Sequence, residues 1–217
     1  MKFEDYLTRF AELRSLYKAV KEEFLAKGLV HHNWAHVQRV LGSGITVGEA
    51  ERANMKIVLA SILLHDVGRL HREAGEDHHS VGAEIAPKYL RNSGFGEDEI
   101  EQIQHCIKAH SPRGTEEPRS LEAKVCYDTD VLSCSIGCIG VARVFDYFMR
   151  EEGMGIREMV TIPSGKKGPR KDFYTKSGKQ LGAKGLRKAM KFWKELEQEF
   201  AHEEESIRKV IPDYKSD

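Results

Sequence analysis

Along most of this chain apolar residues recur at i, i+3, i+4 and i+7, the spacing that gathers them on one face of an α-helix. FEDYLTRFAELRSLYKAVKEEFLAKG shows it first, with Gly28 placed to end the helix. NWAHVQRVLGSGITVGEA follows, with Asn33 as a helix cap and Gly42 and Gly44 weakening the middle. ANMKIVLASILLHD is apolar almost throughout and reads as a buried helix. SVGAEIAPKYLRNSG predicts a helix starting near Ser80, which Pro87 should kink or break. EDEIEQIQHCIKAHS opens with acids, which suit the positive end of a helix dipole. SLEAKVCYDTDVLSCSIGCIGVARVFDYFMREE predicts one long helix or two consecutive ones. LRKAMKFWKELEQEFAHEEESIRKV closes the chain as an amphipathic helix over about residues 181–211. Period-2 alternation is absent from any sizeable stretch, so the fold class expected is all-α, without repeats.

One stretch breaks the helical pattern. TIPSGKKGPRKDFYTKSGKQ, about residues 161–180, is rich in Gly, Lys and Ser and predicts a mobile basic loop. The basic character continues to Lys188, and a solvated stretch is its plainest reading. No convincing domain boundary accompanies it, so a single domain over 1–217 is expected, large enough to bury a real core. Lys plus Arg number 34 and Asp plus Glu number 34, which leaves no global field toward nucleic acid or an anionic membrane. The longest apolar run, IVLASILL, is far shorter than the ~20 residues needed to span a bilayer. MKFEDYLTRF carries acids and no apolar signal-peptide core, so a cytoplasmic setting is expected, with the four cysteines as thiols or metal ligands. Cys134 and Cys138, at i, i+4 spacing, read as small core residues on one helix face.

SILLHDVGRL then raises a chemical question, because it sets the most apolar helix directly against His65 and Asp66. A buried carboxylate without a partner is costly or stays protonated, so Asp66 needs a cation or a donor. Other groups of the same kind are spread along the chain. His36 lies within NWAHVQRV, His78 and His79 precede SVGAEIA, His110 ends IQHCIKAH, and Asp128 and Asp130 sit in VCYDTDVL. Imidazole nitrogens and carboxylate oxygens are the donors that borderline and hard divalent cations take. Facing helices of a bundle can point such residues inward to one site. Taken singly, a histidine on an apolar helix is more often a hydrogen-bonded core residue; taken as a set, these residues make a metal the expected partner of Asp66.

In their order and local context these motifs resemble the HD superfamily of metal-dependent phosphohydrolases. HNWAHVQRV is similar to the first motif, with His36 in the ligand place, and LLHDVGR is similar to the signature, giving His65 and Asp66. DHHSVGAEIA is similar to the H-x-x-x-G-A segment, whose register from Gly82 selects His78 over His79. IKAHS gives His110, and VCYDTDVLSCSIGCIGVAR resembles the closing aspartate segment, with Asp130 in the ligand place and Val131 where members often carry a basic residue. The likeness covers about residues 28–150, and FYTKSGKQL with LRKAMKFW is similar to a subgroup of small bacterial and archaeal HD hydrolases.

The resemblance implies an HD-domain helical bundle with an additional C-terminal helix, and hydrolysis of a phosphate ester or anhydride of a nucleotide or related compound. It implies His36, His65, Asp66 and Asp130 around a first divalent ion and His78 and His110 around a second, with Asp66 bridging. With one ion only, His78 and His110 become acid/base or phosphate-orienting groups. Fe, Mn, Ni, Zn, Co and Mg are not distinguished. Arg69 and Arg113 are candidates to hold phosphate oxygens by forked hydrogen bonds. His31, His32, His71, His79 and His105 are expected in outer or surface positions. No membrane or nucleic-acid partner is expected, and a homodimer is left open. A di-iron oxygenase with the same donor set and a non-catalytic bundle braced by a metal are the rival readings.

Overall fold

The computed structural model describes residues 1–111, 113–161 and 173–215, and among them every regular element is a helix. The expected first helix is two, α1 (Phe3–Arg9) and α2 (Ala11–Lys27), because Phe10 is extended (φ −121°, ψ 104°). That break turns Tyr6 toward α3 (Trp34–Glu51), where its hydroxyl donates to Glu49 Oε1 at 2.7 Å. Asn33 caps α3 as expected, and Gly28 ends α2 with φ 62°. The two glycines inside α3 do not interrupt it. A Cβ at Gly44 would lie 2.3 Å from Ile62 Cδ1, so the bare backbone lets α4 (Met55–Leu64) pack close.

Contacts divide the chain into two compact units, Met1–Ser133 with Asp172–Gln180, and Cys134–Lys171 with Leu181–Asp217. In the first, α4 is the central rod: Ile57 to Leu64 are all buried, and the helix packs on α2, α3 and α7 (Glu97–Ala109). Leu13, Leu16, Val20 and Phe24 of α2 face the same core, each contributing roughly 1.5–3 kcal/mol by burial. The short α5 (Gly68–His71) and α6 (His78–Ser93) complete this side, and α8 (Leu121–Cys134) carries the later aspartates.

α6 starts close to Ser80, as expected, with Asp77 as its cap, whose Oδ2 accepts from Ser80 N at 2.8 Å. Pro87 lies inside α6 without ending it. A proline has no N–H for the carbonyl four residues earlier, and that carbonyl, Ala83 O, instead accepts from Gln104 Nε2 of α7 at 2.7 Å.

The second unit holds α9 (Gly137–Glu151), α10 (Ile156–Thr161) and the greater part of α11 (Lys176–Val210). Val141, Ala189 and Trp193 are buried in it, and the Phe145 and Trp193 rings stack at 4.8 Å between centroids. Since α8 stops at Cys134 and α9 starts at Gly137, Cys134 and Cys138 do not share a helix; Cys138 is exposed and Cys134 half-buried. Of the expected basic loop, residues 162–172 lie outside the described residues. Its end is helix, since Thr175 Oγ1 accepts from Gly178 N at 2.9 Å and starts α11 ahead of the expected residue 181. Among the described residues no single helix is long and apolar enough to cross a membrane.

Candidate metal centre

Helix ends and tight backbone contacts bring the ionisable groups of the first unit to one place. Asn33 Oδ1 accepts from His36 N at 3.1 Å, fixing His36 in the first turn of α3. His65 closes α4 and its Nδ1–H donates to Ile62 O at 2.7 Å. His110 closes α7 in the same way, donating from Nδ1 to Ile107 O at 2.7 Å. His78 is the first residue of α6. It reaches Asp66 because α5 and α6 nearly touch: a Cβ on Gly68 would lie 2.0 Å from His78 O and 2.6 Å from Gly82 N, so only glycine fits. Asp130 comes from α8.

Asp66 is the hub, and its two oxygens face different histidines. Oδ2 lies 3.1 Å from His65 Nε2 and 3.3 Å from His36 Nε2. Oδ1 lies 3.5 Å from His78 Nε2 and 3.9 Å from His110 Nε2. Asp130 Oδ1 stands 3.5 Å from His36 Nε2 on the first side. All six side chains are buried. With their Nδ1 protons spent on backbone carbonyls, His65 and His110 turn Nε2 lone pairs inward. The Nε2 atoms of His36 and His65 are only 2.9 Å apart, a separation that two bare lone pairs oppose and that a shared proton or a cation relieves. This donor chemistry fits a divalent ion: His36, His65 and Asp66 each offer one atom within 4.8 Å of the others, and so do His78, His79 and His110.

The electrostatics are those of a site short of positive charge. Burial alone would raise the Asp66 carboxyl, but the Arg69 guanidinium and the His65 imidazole outweigh it and hold it well below the usual range. Burial opposes a charge on His65, yet Asp66 and then Asp130 lift its imidazole above the ordinary value. Nothing comparable rescues the other side: burial pushes His110 down to about 3, and burial with the Arg69 charge pushes His78 down to about 2. Arg69 spans both groups there, Nε donating to Asp66 Oδ1 at 2.6 Å and Nη2 to His78 Nε2 at 3.0 Å.

The remaining singled-out residues sort by geometry. Asp128 is fully buried but away from the hub: it accepts from Tyr174 N, Thr175 N and Thr175 Oγ1 at 2.8, 2.8 and 2.6 Å, so it anchors the start of α11. Arg113 is exposed, its backbone N–H donating to Ser111 Oγ at 3.2 Å. His32 sets its ring edge-on to His36 with centroids 5.5 Å apart. His71 pairs with Glu23 at 2.6 Å, and His105 with Glu116 at 2.8 Å. His79 departs most from expectation. It is fully buried and bonded through both ring nitrogens, to Asp77 Oδ1 and to Ser111 Oγ, at 2.7 Å each.

Known proteins resemble this chain in the same region. The HD domain family model matches residues 33–134, which contain all six converging side chains. A Bacillus subtilis protein, YpgQ, is 31% identical over 131 residues, covering 58% of this chain and 60% of its own length. A Clostridium beijerinckii protein is 31% identical over 105 residues, 47% of this chain and 64% of its own. The chain thus spans less than two thirds of the length of these curated relatives. Among solved structures, a predicted HD superfamily hydrolase from an uncultured Thermotogales bacterium superposes with a TM-score of 0.64 at 25% identity, covering 94% of this chain and 99% of that one. YpgQ solved in complex with ADP superposes with a TM-score of 0.62 at 21% identity, over 87% of this chain and 94% of that one. Residues 33–134 thus match the HD domain model, and the chain shares its all-α fold with a predicted HD superfamily hydrolase.

Proposed function

We propose that the protein is a metal-dependent phosphohydrolase that cleaves a phosphate ester or anhydride of a nucleotide or related small phosphate compound. The observation that carries this reading is the division of Asp66 between two sets of imidazoles, Oδ2 toward His36 and His65 and Oδ1 toward His78 and His110. His36, His65, Asp66 and Asp130 hold a first divalent ion; His78 and His110 hold a second, with Asp66 common to both. A bound ion supplies a hydroxide at neutral pH and offsets charge on the phosphoryl oxygens. The Nδ1–H bonds of His65 and His110 keep their Nε2 atoms aimed inward, so the donors are set before substrate arrives.

Arg69 forks between Asp66 and His78, and a phosphate oxygen is a stronger acceptor for its Nη2 than a neutral imidazole is. We therefore assign it to the transferring phosphoryl group, and Arg113, exposed just beyond His110, to a more distant phosphate. YpgQ's complex with ADP makes a nucleoside diphosphate the first compound to test, and a nucleotide substrate suits a cytoplasmic setting. The experiment is a hydrolysis screen of metal-stripped protein reconstituted singly with Mn, Fe, Co, Ni, Zn or Mg. Substrates are nucleotides including ADP, dinucleoside polyphosphates, cyclic nucleotides and generic phosphatase substrates. Phosphate-containing product is expected only with metal, and none from Asp66→Ala, which should lose metal and activity together. A metal-loaded wild type that hydrolyses nothing in the panel overturns the proposal, and oxygen consumption by an iron-loaded form would replace it with an oxygenase.

A further inference from the structure

His79 lies within reach of His78 and His110, but hydrogen bonds already engage both of its ring nitrogens. The polarity of its contacts can be followed atom by atom. Asp77 accepts twice, from Ser80 N at Oδ2 (2.8 Å) and from His79 Nδ1–H at Oδ1 (2.7 Å). His79 Nε2 then bears the lone pair and accepts from the Ser111 hydroxyl at 2.7 Å, whose oxygen in turn accepts from Arg113 N at 3.2 Å. His79 and Ser111 are buried at the centre of this hydrogen-bonded chain, and Asp77 at its end is exposed.

The chain joins the neighbours of two candidate ligands on different helices. His79 follows His78 at the start of α6, and Ser111 follows His110 at the end of α7. The His79 ring also lies against both, its centroid 3.8 Å from that of His78 and 4.6 Å from that of His110, tilted 37° and 38°. We infer that Asp77, His79 and Ser111 form a clamp that fixes the spacing of His78 and His110, and so sets the affinity of the second ion without touching the first. The inference rests on the two-ion reading above and names these three as positioning residues for it.

The test is a calorimetric Mn2+ titration of the metal-stripped, full-length chain, with the melting temperature of the metal-free protein recorded alongside. Ser111→Ala should weaken the second equivalent about 10-fold or more while leaving the first within about two-fold, the scale on which outer supports act at metal sites. Ser111→Thr, which keeps the hydroxyl, should restore it. Asp77→Ala removes the acceptor that holds the His79 Nδ1–H, so the ring loses its anchor on α6 and the second equivalent should weaken again. Equal weakening of both equivalents, tracking a lower melting temperature, overturns the clamp in favour of general support of the fold. Two equivalents that Ser111→Ala leaves unchanged also overturn it, with the two-ion reading intact. A wild type that takes only one equivalent overturns the two-ion reading and the clamp with it.

Discussion

Arg69 occupies the position between Asp66 Oδ1 and His78 Nε2, with its side chain mostly buried and its charge offsetting the carboxylate. A guanidinium held by one strong and one neutral acceptor can keep the first and exchange the second for a phosphoryl oxygen. Arg69→Ala is therefore expected to lower kcat/KM about 10-fold or more, ~1.4 kcal/mol of transition-state stabilisation, with metal content unchanged. Steady-state kinetics at low salt, where screening is least, with elemental analysis of the same sample, decide it. Wild-type kcat/KM in the variant would return Arg69 to a purely internal ion pair. At this scale the sequence was legible where the signal is local. His65 and Asp66 are adjacent, Arg69 is one turn on, and the six side chains picked out by motif do lie together in space. The part of His79 was not legible, because Ser111 is 32 residues away. Nor was that of Asp128, whose acceptor role depends on residues 46 and 47 positions later.

Helices followed the apolar period, and they departed from it where a tertiary partner changed the local balance. Pro87 is the clearest such position. Its missing N–H would normally leave Ala83 O buried and unmatched, and a side chain from the next helix fills that role. The two residues should therefore be coupled. Gln104→Ala in the wild-type background is expected to cost about 1–3 kcal/mol, the range for stranding a buried carbonyl. In a Pro87→Ala background residue 87 regains its N–H, and the same change should cost only a few tenths, a coupling of about 1 kcal/mol. Denaturant unfolding of the four proteins measures it, and an equal cost in both backgrounds would show that Gln104 acts through something other than the proline. The break at Phe10 and the start of α11 at Thr175 have the same kind of origin. Tyr6 finds Glu49 across the bundle, and Thr175 finds Asp128, and no window of sequence contains both partners.

For the whole molecule, helical periodicity without strand alternation pointed to the all-α class, and the site falls entirely within the unit Met1–Ser133 with Asp172–Gln180. That placement makes the ion part of the stability of this unit. Two buried carboxylates and four imidazoles meet there, and Arg69 is a permanent cation that touches them. An ion bound by the folded state alone stabilises it by RT ln(1 + [L]/Kd), ~2.7 kcal/mol at a hundredfold excess over Kd. In a chain of this length each kcal/mol moves the melting temperature by about 2–4 °C, so removing the ion should lower it by about 5–10 °C. The measurement is a thermal melt in Mn2+ against the same protein in chelator, repeated with Asp66→Ala. Replacing the hub removes the carboxylate common to both sides, so the variant should melt at one temperature whether metal or chelator is present. A wild type whose melting temperature ignores chelation would mean that protons and side-chain cations such as Arg69 balance the buried carboxylates, and the metal reading would fall without any substrate having been tested.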